Sequence, residues 1–299
     1  MRPALFEMLS ESLADGHGLD YCSTIACCEQ HRFVAVSNDT KKLTVWDTRA
    51  GGPGGSWVCL LERETSKKLN ALRFVRRYHG VEAGSGSIGL VVADRMGDVY
   101  LFHIQYGVAD AAGADMSRTD APTDFLAGHL STVTAMAFTA DESFMITAER
   151  DEKIRVSHFP NSYNIESFCL GHTCHVSALA VATVEQRATT IPLLLSGAVD
   201  GSLKMWSLPH SEPLHSLMLE PPRAAAEHGS KAVAQSADEK PVRKSHHTNE
   251  QITHEALGGV DSIAYSATAG VAAVTFSGCG VHNDTPLNHL FALTSLPNA

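Results

Sequence analysis

The sequence predicts an all-β fold built from repeated pairs of short antiparallel strands. Four segments share one pattern, in which an apolar strand, a polar turn with Asp and a second strand follow one another. These segments are residues 31–48, 89–104, 143–159 and 192–208. The 299 residues include 44% hydrophobic and 19% charged side chains, a balance typical of a globular protein that buries a core. Repeats and composition together indicate one large β-domain.

Two of the four segments are preceded by a longer leading stretch of sequence, and both leading stretches begin close to a Gly-His pair. Residues 127–143 lead into the third segment, and residues 170–183 lead into the fourth. Each leading stretch contains an alternating strand, VTAMAF or VSALAV, before the chain turns. A fifth unit at 258–278 has two strands, and 287–296 is a candidate third strand. Each unit is therefore expected to form a small antiparallel sheet.

This pattern resembles the WD-repeat family, whose unit runs from Gly-His through three strands to Trp-Asp. The matching residues are Gly128-His129, Gly171-His172, Trp46-Asp47 and Trp206. The match is imperfect, because Ser207 follows Trp206 and Ser157 stands where the third repeat would have Trp. The resemblance implies a β-propeller, in which stacked blades bury the faces that one four-stranded blade would expose.

We expect residues 1–299 to form a single propeller domain with five recognisable blades. Propellers of this family usually have seven blades, so either the chain ends early or some blades are unrecognisable, and we expect a chain that is short at its C-terminus. Residues 106–124 are predicted to be a loop between the second and third blades. Residues 220–256 are predicted to be a disordered insertion after the fourth blade, because they contain few large apolar side chains. The insertion carries a basic cluster that could contact RNA or act in nuclear import, although such clusters are more often solvated tails: Arg243, Lys244, His246 and His247.

In the WD-repeat family a His, a Ser or Thr, the turn Asp and the Trp form a hydrogen-bonded chain within a blade. Carried over by position, the resemblance implies a complete set in the fourth blade: His172, Ser196, Asp200 and Trp206. The third blade would have the same set without its Trp: His129, Thr147 and Asp151. The implied role of these residues is structural, because they hold the turn in shape.

Charge and cysteine content limit the classes of function. With 23 Lys and Arg against 33 Asp and Glu, the net charge is −10, which is unfavourable for gripping phosphate backbones without a basic partner. No run of about 18 apolar residues predicts a membrane span, and the N-terminus does not resemble a secretory signal. Seven irregularly spaced cysteines suit buried thiols in a reducing, intracellular compartment.

Motifs for catalysis or cofactor binding are weak. The glycines of GSGSIG, residues 84–89, precede a strand, whereas a nucleotide-binding loop of that spacing requires a helix after it. The stretch CLGHTCH brings Cys169, His172, Cys174 and His175 close in sequence, but alternation in a strand points neighbouring side chains to opposite faces. The sequence contains no nucleophile elbow, no H-E-x-x-H and no P-loop. We therefore predict no catalytic residues, no metal and no cofactor in this chain.

The central stretch, residues 128–181, resembles a more specific family. TAERDEKIRVSHFP and IESFCLGH are similar to the WD-repeat, non-catalytic subunit of the tRNA (guanine-N7) methyltransferase. The resemblance implies a heterodimer in which a separate catalytic subunit binds S-adenosylmethionine and forms 7-methylguanosine in the tRNA variable loop. The propeller would hold that subunit in an active conformation and meet tRNA through the complex. A nuclear location and no membrane contact are expected with this role.

The resemblance also implies where the catalytic subunit docks. In the family, basic residues of the third-blade run meet acidic residues of the catalytic subunit, which carries the role over to Lys153 and Arg155 with Arg150 close by. Strand alternation places Lys153 and Arg155 on one side and Ile154 and Val156 on the other. The competing interpretation is a solvated turn whose charges satisfy one another.

Two other functions fit the sequence. One is a general WD-repeat scaffold or adaptor, such as a substrate receptor of a ubiquitin ligase or a subunit of a chromatin complex, because the fold alone does not define the ligand. The other is a degraded copy without a stable fold. The identity of the stoichiometric partner distinguishes the first from the methyltransferase role, and a melting curve tests the second.

Overall fold

The computed structural model describes 22–28, 32–49, 57–76, 78, 86–106, 123–186, 189–218, 260–266, 271–276 and 288–289, and its regular structure is entirely β-strand. Blade 1 comprises β1 Cys22–Cys27, β2 Phe33–Asn38, β3 Lys42–Asp47 and β4 Val58–Glu64. Blade 2 comprises β5 Leu69–Val75, β6 Ser87–Asp94, β7 Asp98–Gln105 and β8 Thr123–Gly128. Blade 3 comprises β9 Val133–Phe138, β10 Phe144–Glu149, β11 Ile154–His158 and β12 Ile165–Cys169. Blade 4 comprises β13 Val176–Gln186, β14 Thr189–Ala198, β15 Ser202–Ser207 and β16 Pro213–Met218, and blade 5 comprises β17 Val260–Ser266, β18 Val271–Phe276 and β19 Asn288–His289.

Each blade is an antiparallel sheet whose strands follow one another in chain order. The first strands of consecutive blades, β1, β5, β9, β13 and β17, pack beside one another and form the inner wall of the assembly. This arrangement places one apolar face of each sheet against the next sheet, which a single isolated sheet could not do. The all-β, repeated-sheet prediction is confirmed.

The core lies in the layers between neighbouring blades. Alternation along each strand sends one set of side chains toward the preceding blade and the other set toward the following blade. In blade 3, Met136 and Met145 face blade 2, whereas Ile154 and Val156 pack against Leu194 of blade 4. Because both faces of a blade are covered, the second strands β6 and β10 are buried at nearly every position.

The turns between the second and third strands of the blades lie at one end of the assembly, together with the segments that connect successive blades. Hydrogen bonds join them: the amide of Arg150 donates to the carbonyl of Thr132 (2.9 Å), and the amide of Thr65 donates to the carbonyl of Lys41 (2.8 Å). We call this end the upper rim, defined by residues 39–41, 65–68, 95–97, 129–132, 150–153, 170–175 and 199–201. The upper rim positions the candidate site.

Two predictions about segments outside the blades have different outcomes. Residues 123–128 form β8, the fourth strand of blade 2, so the prediction that 106–124 separates the second and third blades was wrong. The preceding strand already ends at Gln105, and the outer strand of blade 2 needs this return of the chain to pair with β7. Residues 220–256, predicted to be an insertion, lie outside the described residues.

No helix in the described part of the chain is long and apolar enough to cross a membrane.

Candidate partner-binding turn of blade 3

The charged run of the third repeat forms the turn between β10 and β11 on the upper rim. The amide of Glu149 donates to the carbonyl of Lys153 (2.9 Å), and the amide of Glu152 donates to the carbonyl of Glu149 (3.2 Å). Glu152 has a positive φ of 75°, in the left-handed region that such turns use. Backbone bonds thus hold the turn at both of its ends, so the side chains at its tip project from a fixed backbone.

Arg150, Glu152 and Lys153 are exposed at the tip of this turn. The Lys153 ammonium donates to Asp151 Oδ2 at 2.5 Å, and its side chain remains 49% exposed. This hydrogen bond, together with the charge of the same carboxylate, raises the pKa of Lys153. Lys153 therefore stays protonated and accessible to a partner in neutral solution. The turn satisfies part of its own charge, as the competing interpretation expected, but two cations are still presented to solvent.

Arg155 does not share this exposure, which corrects the expectation that it faces a partner beside Lys153. Strand β11 begins at Ile154, so Lys153 belongs to the turn, whereas Arg155 lies within the sheet. Its guanidinium donates to the carbonyl of Gly128 (3.1 Å) and to Glu149 Oε1 (3.4 Å), and the side chain is only 13% exposed. Arg155 therefore ties blade 3 to the last residue of blade 2.

Glu149 is the centre of a buried polar group that the sequence analysis did not include. Its carboxylate lies 2.9 Å from Nδ1 of His129, the histidine of the third Gly-His pair. Together His129, Glu149 and Arg155 connect the segment before β9 with the strands on both sides of the turn. The position of Glu149, two residues after Thr147 on the same strand face, was the signal that could have identified it.

The predicted hydrogen-bonded chain of His129, Thr147 and Asp151 is not formed in blade 3, and this is a second correction. Among the described residues, neither Nε2 of His129 nor Oγ1 of Thr147 has a hydrogen-bond partner. Asp151 instead accepts the bond from Lys153. The physical reason is Glu149, because its carboxylate contacts Nδ1 of the His129 imidazole. The equivalent position in blade 4 is Ala198, which has no polar side chain.

Blade 4 brings most of its predicted set together. His172 Nε2 lies 2.7 Å from Ser196 Oγ, and Trp206 Nε1 donates to the same oxygen at 2.8 Å. Asp200 does not bond to the imidazole, because Nδ1 of His172 is occupied by Ser202 Oγ at 3.0 Å. Asp200 accepts instead from the amide of Ser202 (2.9 Å) and joins the network through that residue. Ser202 is thus a member that the sequence analysis missed.

Burial determines the protonation of this network. Burial, together with the smaller effect of the Lys204 ammonium, lowers the pKa of His172 from its ordinary 6.5 to about 4, while Asp200 opposes the shift. Burial acts against ionisation of Asp200, but hydrogen bonds from the hydroxyl and amide of Ser202 lower the pKa of this carboxyl below its ordinary value. The folded state therefore holds a neutral His172 beside a charged Asp200.

Stability is expected to fall as the pH drops from 6.5 to about 4. Because the pKa of His172 is depressed on folding, the unfolded state takes up a proton first, so the stabilisation is fully present above pH 6.5. The loss should approach about 3 kcal/mol near pH 4. Chemical denaturation at a series of pH values measures this slope. A His172→Gln variant serves as control, and an unchanged slope in that variant would contradict the assignment.

The Trp-Asp pair of blade 1 has a different environment. Asp47 is buried and accepts two bonds from Arg32, at 3.0 Å to Nε and 2.7 Å to Nη2. The Arg32 guanidinium also lies 4.4 Å from the centre of the Tyr106 ring. Trp46 is only half-buried, and its ring centre lies 6.4 Å from that of Trp57 in a tilted arrangement. This pair therefore stabilises the lower part of blades 1 and 2 and takes no part in the upper rim.

The described residues contain no group of three or more His, Cys, Asp or Glu side chains arranged to hold a metal ion. In the CLGHTCH stretch, both imidazole nitrogens of His172 contact serine hydroxyls. Burial raises the pKa of the Cys169 thiol to about 11, so this cysteine stays protonated. These contacts account for the two residues as parts of the blade.

Similarity to known proteins covers the blades that carry this site. The family described as "tRNA methyltransferase TRM82 WD40 domain" matches residues 108–262, which is more than half of the chain and includes all of blades 3 and 4. The chain belongs to the TRM82 WD40 family. This membership supports the methyltransferase-subunit interpretation and does not support the general adaptor.

Curated relatives of this TRM82-family chain carry one name, tRNA (guanine-N(7)-)-methyltransferase non-catalytic subunit. The human relative is 33% identical over 203 residues, which cover 68% of this chain and 41% of the relative. The Danio rerio relative is 35% identical over 62% of this chain and 38% of its own length. The Dictyostelium discoideum relative is 31% identical over 62% of this chain and 37% of its own length. The TRM82-family chain thus spans less than half the length of these relatives.

Proposed function

We propose that this chain acts as the non-catalytic subunit of a tRNA (guanine-N7) methyltransferase, binding the catalytic subunit through the turn of blade 3. One observation carries the proposal: Arg150 and Lys153 are presented to solvent by a turn whose backbone is fixed on both sides. The names of the relatives support the pairing with a catalytic subunit. The chain itself would perform no chemistry.

In this proposal Arg150 and Lys153 pair with carboxylates of the catalytic subunit. An arginine fork suits a bidentate carboxylate contact, and a lysine adds a compact charge beside it. Arg155 has a different role, since its bonds to Glu149 and Gly128 hold the base of the turn. It positions the two contact residues and forms at most a minor contact itself.

The cofactor and the RNA belong to the complex as a whole. S-adenosylmethionine would bind the catalytic subunit, and 7-methylguanosine would form there in the tRNA variable loop. The net charge of −10 makes this chain a poor binder of RNA alone, so tRNA would be met through the complex. A nuclear location agrees with modification of newly made tRNA.

Charge reversal tests the docking turn. Arg150→Glu combined with Lys153→Glu is expected to weaken binding of the catalytic subunit by at least about tenfold, because like charges then face each other across the interface. Binding is measured by calorimetry with the purified catalytic subunit. Activity of the complex is measured as the amount of 7-methylguanosine formed in tRNA. Lys67→Glu is the matched control, since Lys67 is an exposed lysine elsewhere on the upper rim. Equal affinity of the double variant and the wild type would refute this docking site.

A further inference from the structure

Large apolar side chains are exposed on the upper rim close to the charged turn. Leu130 is 99% exposed, Leu170 is 64% exposed, and Met96 is exposed nearby in the turn of blade 2. Single exposed apolar side chains are ordinary on protein surfaces. Here they lie on one rim, which makes them a candidate contact surface.

The two leucines lie on either side of the turn of blade 3. On one side, the Arg150 amide bonds to Thr132, two residues after Leu130. On the other side, Ile154 pairs with Cys169, so Leu170 continues the chain opposite Lys153. The order across the rim is therefore apolar, basic, apolar.

The backbone that carries Leu130 is held in place. The His129 amide donates to the carbonyl of Gly97 (2.9 Å), and the Thr132 hydroxyl donates to the carbonyl of Arg95 (2.9 Å). Gly97 has a φ of 97°, and a β-carbon on it would lie 2.6 Å from the Ser131 carbonyl oxygen, so only glycine permits this close approach.

The backbone at Leu170 is anchored as well, by buried Cys169 before it and by His172 after it. A partner that covers these leucines therefore orders little additional backbone, and less of the binding free energy is lost to that ordering.

We infer that Leu130 and Leu170 are the apolar anchors of the docking surface, with Met96 at its edge. The occupant is an apolar patch on the catalytic methyltransferase subunit, bordered by carboxylates that reach Arg150 and Lys153. This arrangement matches the general anatomy of protein interfaces, in which a few apolar side chains carry most of the affinity and charges set the register. The inference rests on the proposed function and names residues of the same surface.

The test compares aspartate substitutions at exposed positions inside and outside the docking surface. Leu130→Asp and Leu170→Asp are each expected to weaken binding of the purified catalytic subunit by about tenfold or more, because a charge replaces a side chain that the interface buries. Leu130→Met retains an apolar side chain and is expected to bind nearly as the wild type does. Tyr163→Asp is the matched control, since Tyr163 is 80% exposed between β11 and β12, at the opposite end of the blade.

Melting curves of the four variants should coincide with that of the wild type, because all three positions are exposed. If the wild type binds the catalytic subunit and both aspartate variants bind equally well, the inference is wrong and the proposed function stands. If the wild type itself does not bind, the proposed function is wrong and the inference fails with it. Weakening by Tyr163→Asp to the same degree would also overturn the inference, because the effect would not be specific to the upper rim.

Discussion

Trp206→Ala is expected to lower the free energy of unfolding by about 3–5 kcal/mol, the usual cost of removing a large buried aromatic side chain. Trp206 is 1% exposed and packs between blades 3 and 4 with Ile146 and Ala148. Its Nε1 also donates to Ser196, the residue that meets His172. The change therefore opens a cavity between two blades and removes one bond of a buried network. Since a domain has a total stability of about 5–15 kcal/mol, the loss should be evident in urea denaturation.

Two controls separate the contributions of packing and hydrogen bonding. Trp206→Phe keeps most of the apolar volume and loses the bond to Ser196, so the expected cost is smaller, about 1–2 kcal/mol. Trp46→Ala removes the equivalent residue of blade 1, which is only half-buried, and should cost less than Trp206→Ala. Equal losses at Trp46 and Trp206 would show that the blade 4 network has no special weight in stability.

Arg155→Ala is expected to lower the free energy of unfolding by about 3 kcal/mol, in addition to any effect on partner binding. The reason is that Glu149, whose side chain is 3% exposed, would keep His129 but lose its cationic partner. Leaving a buried charge without its partner is among the most destabilising single changes. The bond to the Gly128 carbonyl is lost at the same time, so the contact between blades 2 and 3 is weakened. Thermal and urea denaturation of the isolated chain measure the effect.

Lys153→Ala is the matched comparison for Arg155→Ala. Lys153 lies in the same run and, within the part of the chain that the structure describes, its ion pair is with Asp151 at the surface, so its removal should change stability little. The two substitutions should thus separate: Lys153→Ala weakens binding of the catalytic subunit without loss of stability, whereas Arg155→Ala affects both. An Arg155→Ala variant as stable as the wild type would show that this arginine does not hold the base of the turn.

Strand positions could be predicted well from the sequence alone. The alternating stretches VTAMAF and VSALAV coincide with β9 and with the first part of β13, and the hairpin of residues 143–159 contains β10 and β11. Ile154 and Val156 are buried between blades, as alternation predicts. The alternation of apolar and polar residues is a local property of the chain, so it predicts strands without knowledge of the tertiary contacts.

The members of the polar networks were predicted only in part. The Gly-His histidines and Ser196 could be placed by their positions in the repeat. Strand alternation places Glu149 on the same face as Thr147, but it does not show that Glu149 or Ser202 binds a histidine. Glu149 and Ser202 each contact Nδ1 of a histidine that is distant along the chain. Which side chain reaches that nitrogen depends on which one folding places nearest to it. One substitution within the repeat, Glu149 where blade 4 has Ala198, is enough to redirect the bond of His129.

The sequence by itself determined that this protein is a row of small antiparallel sheets, which strand faces are apolar, and that a highly charged turn interrupts the third repeat. These features follow from alternation and turn composition within a few neighbouring residues. Only the tertiary structure decided which charges of that turn are available. Stacking of blades 2 and 3 brings the Gly128 carbonyl to Arg155, and this contact, together with the bond to Glu149 on the neighbouring strand, draws Arg155 inward, while Arg150 and Lys153 remain outside between two exposed leucines. The difference arises because a side chain's partners across a blade boundary come from distant parts of the chain.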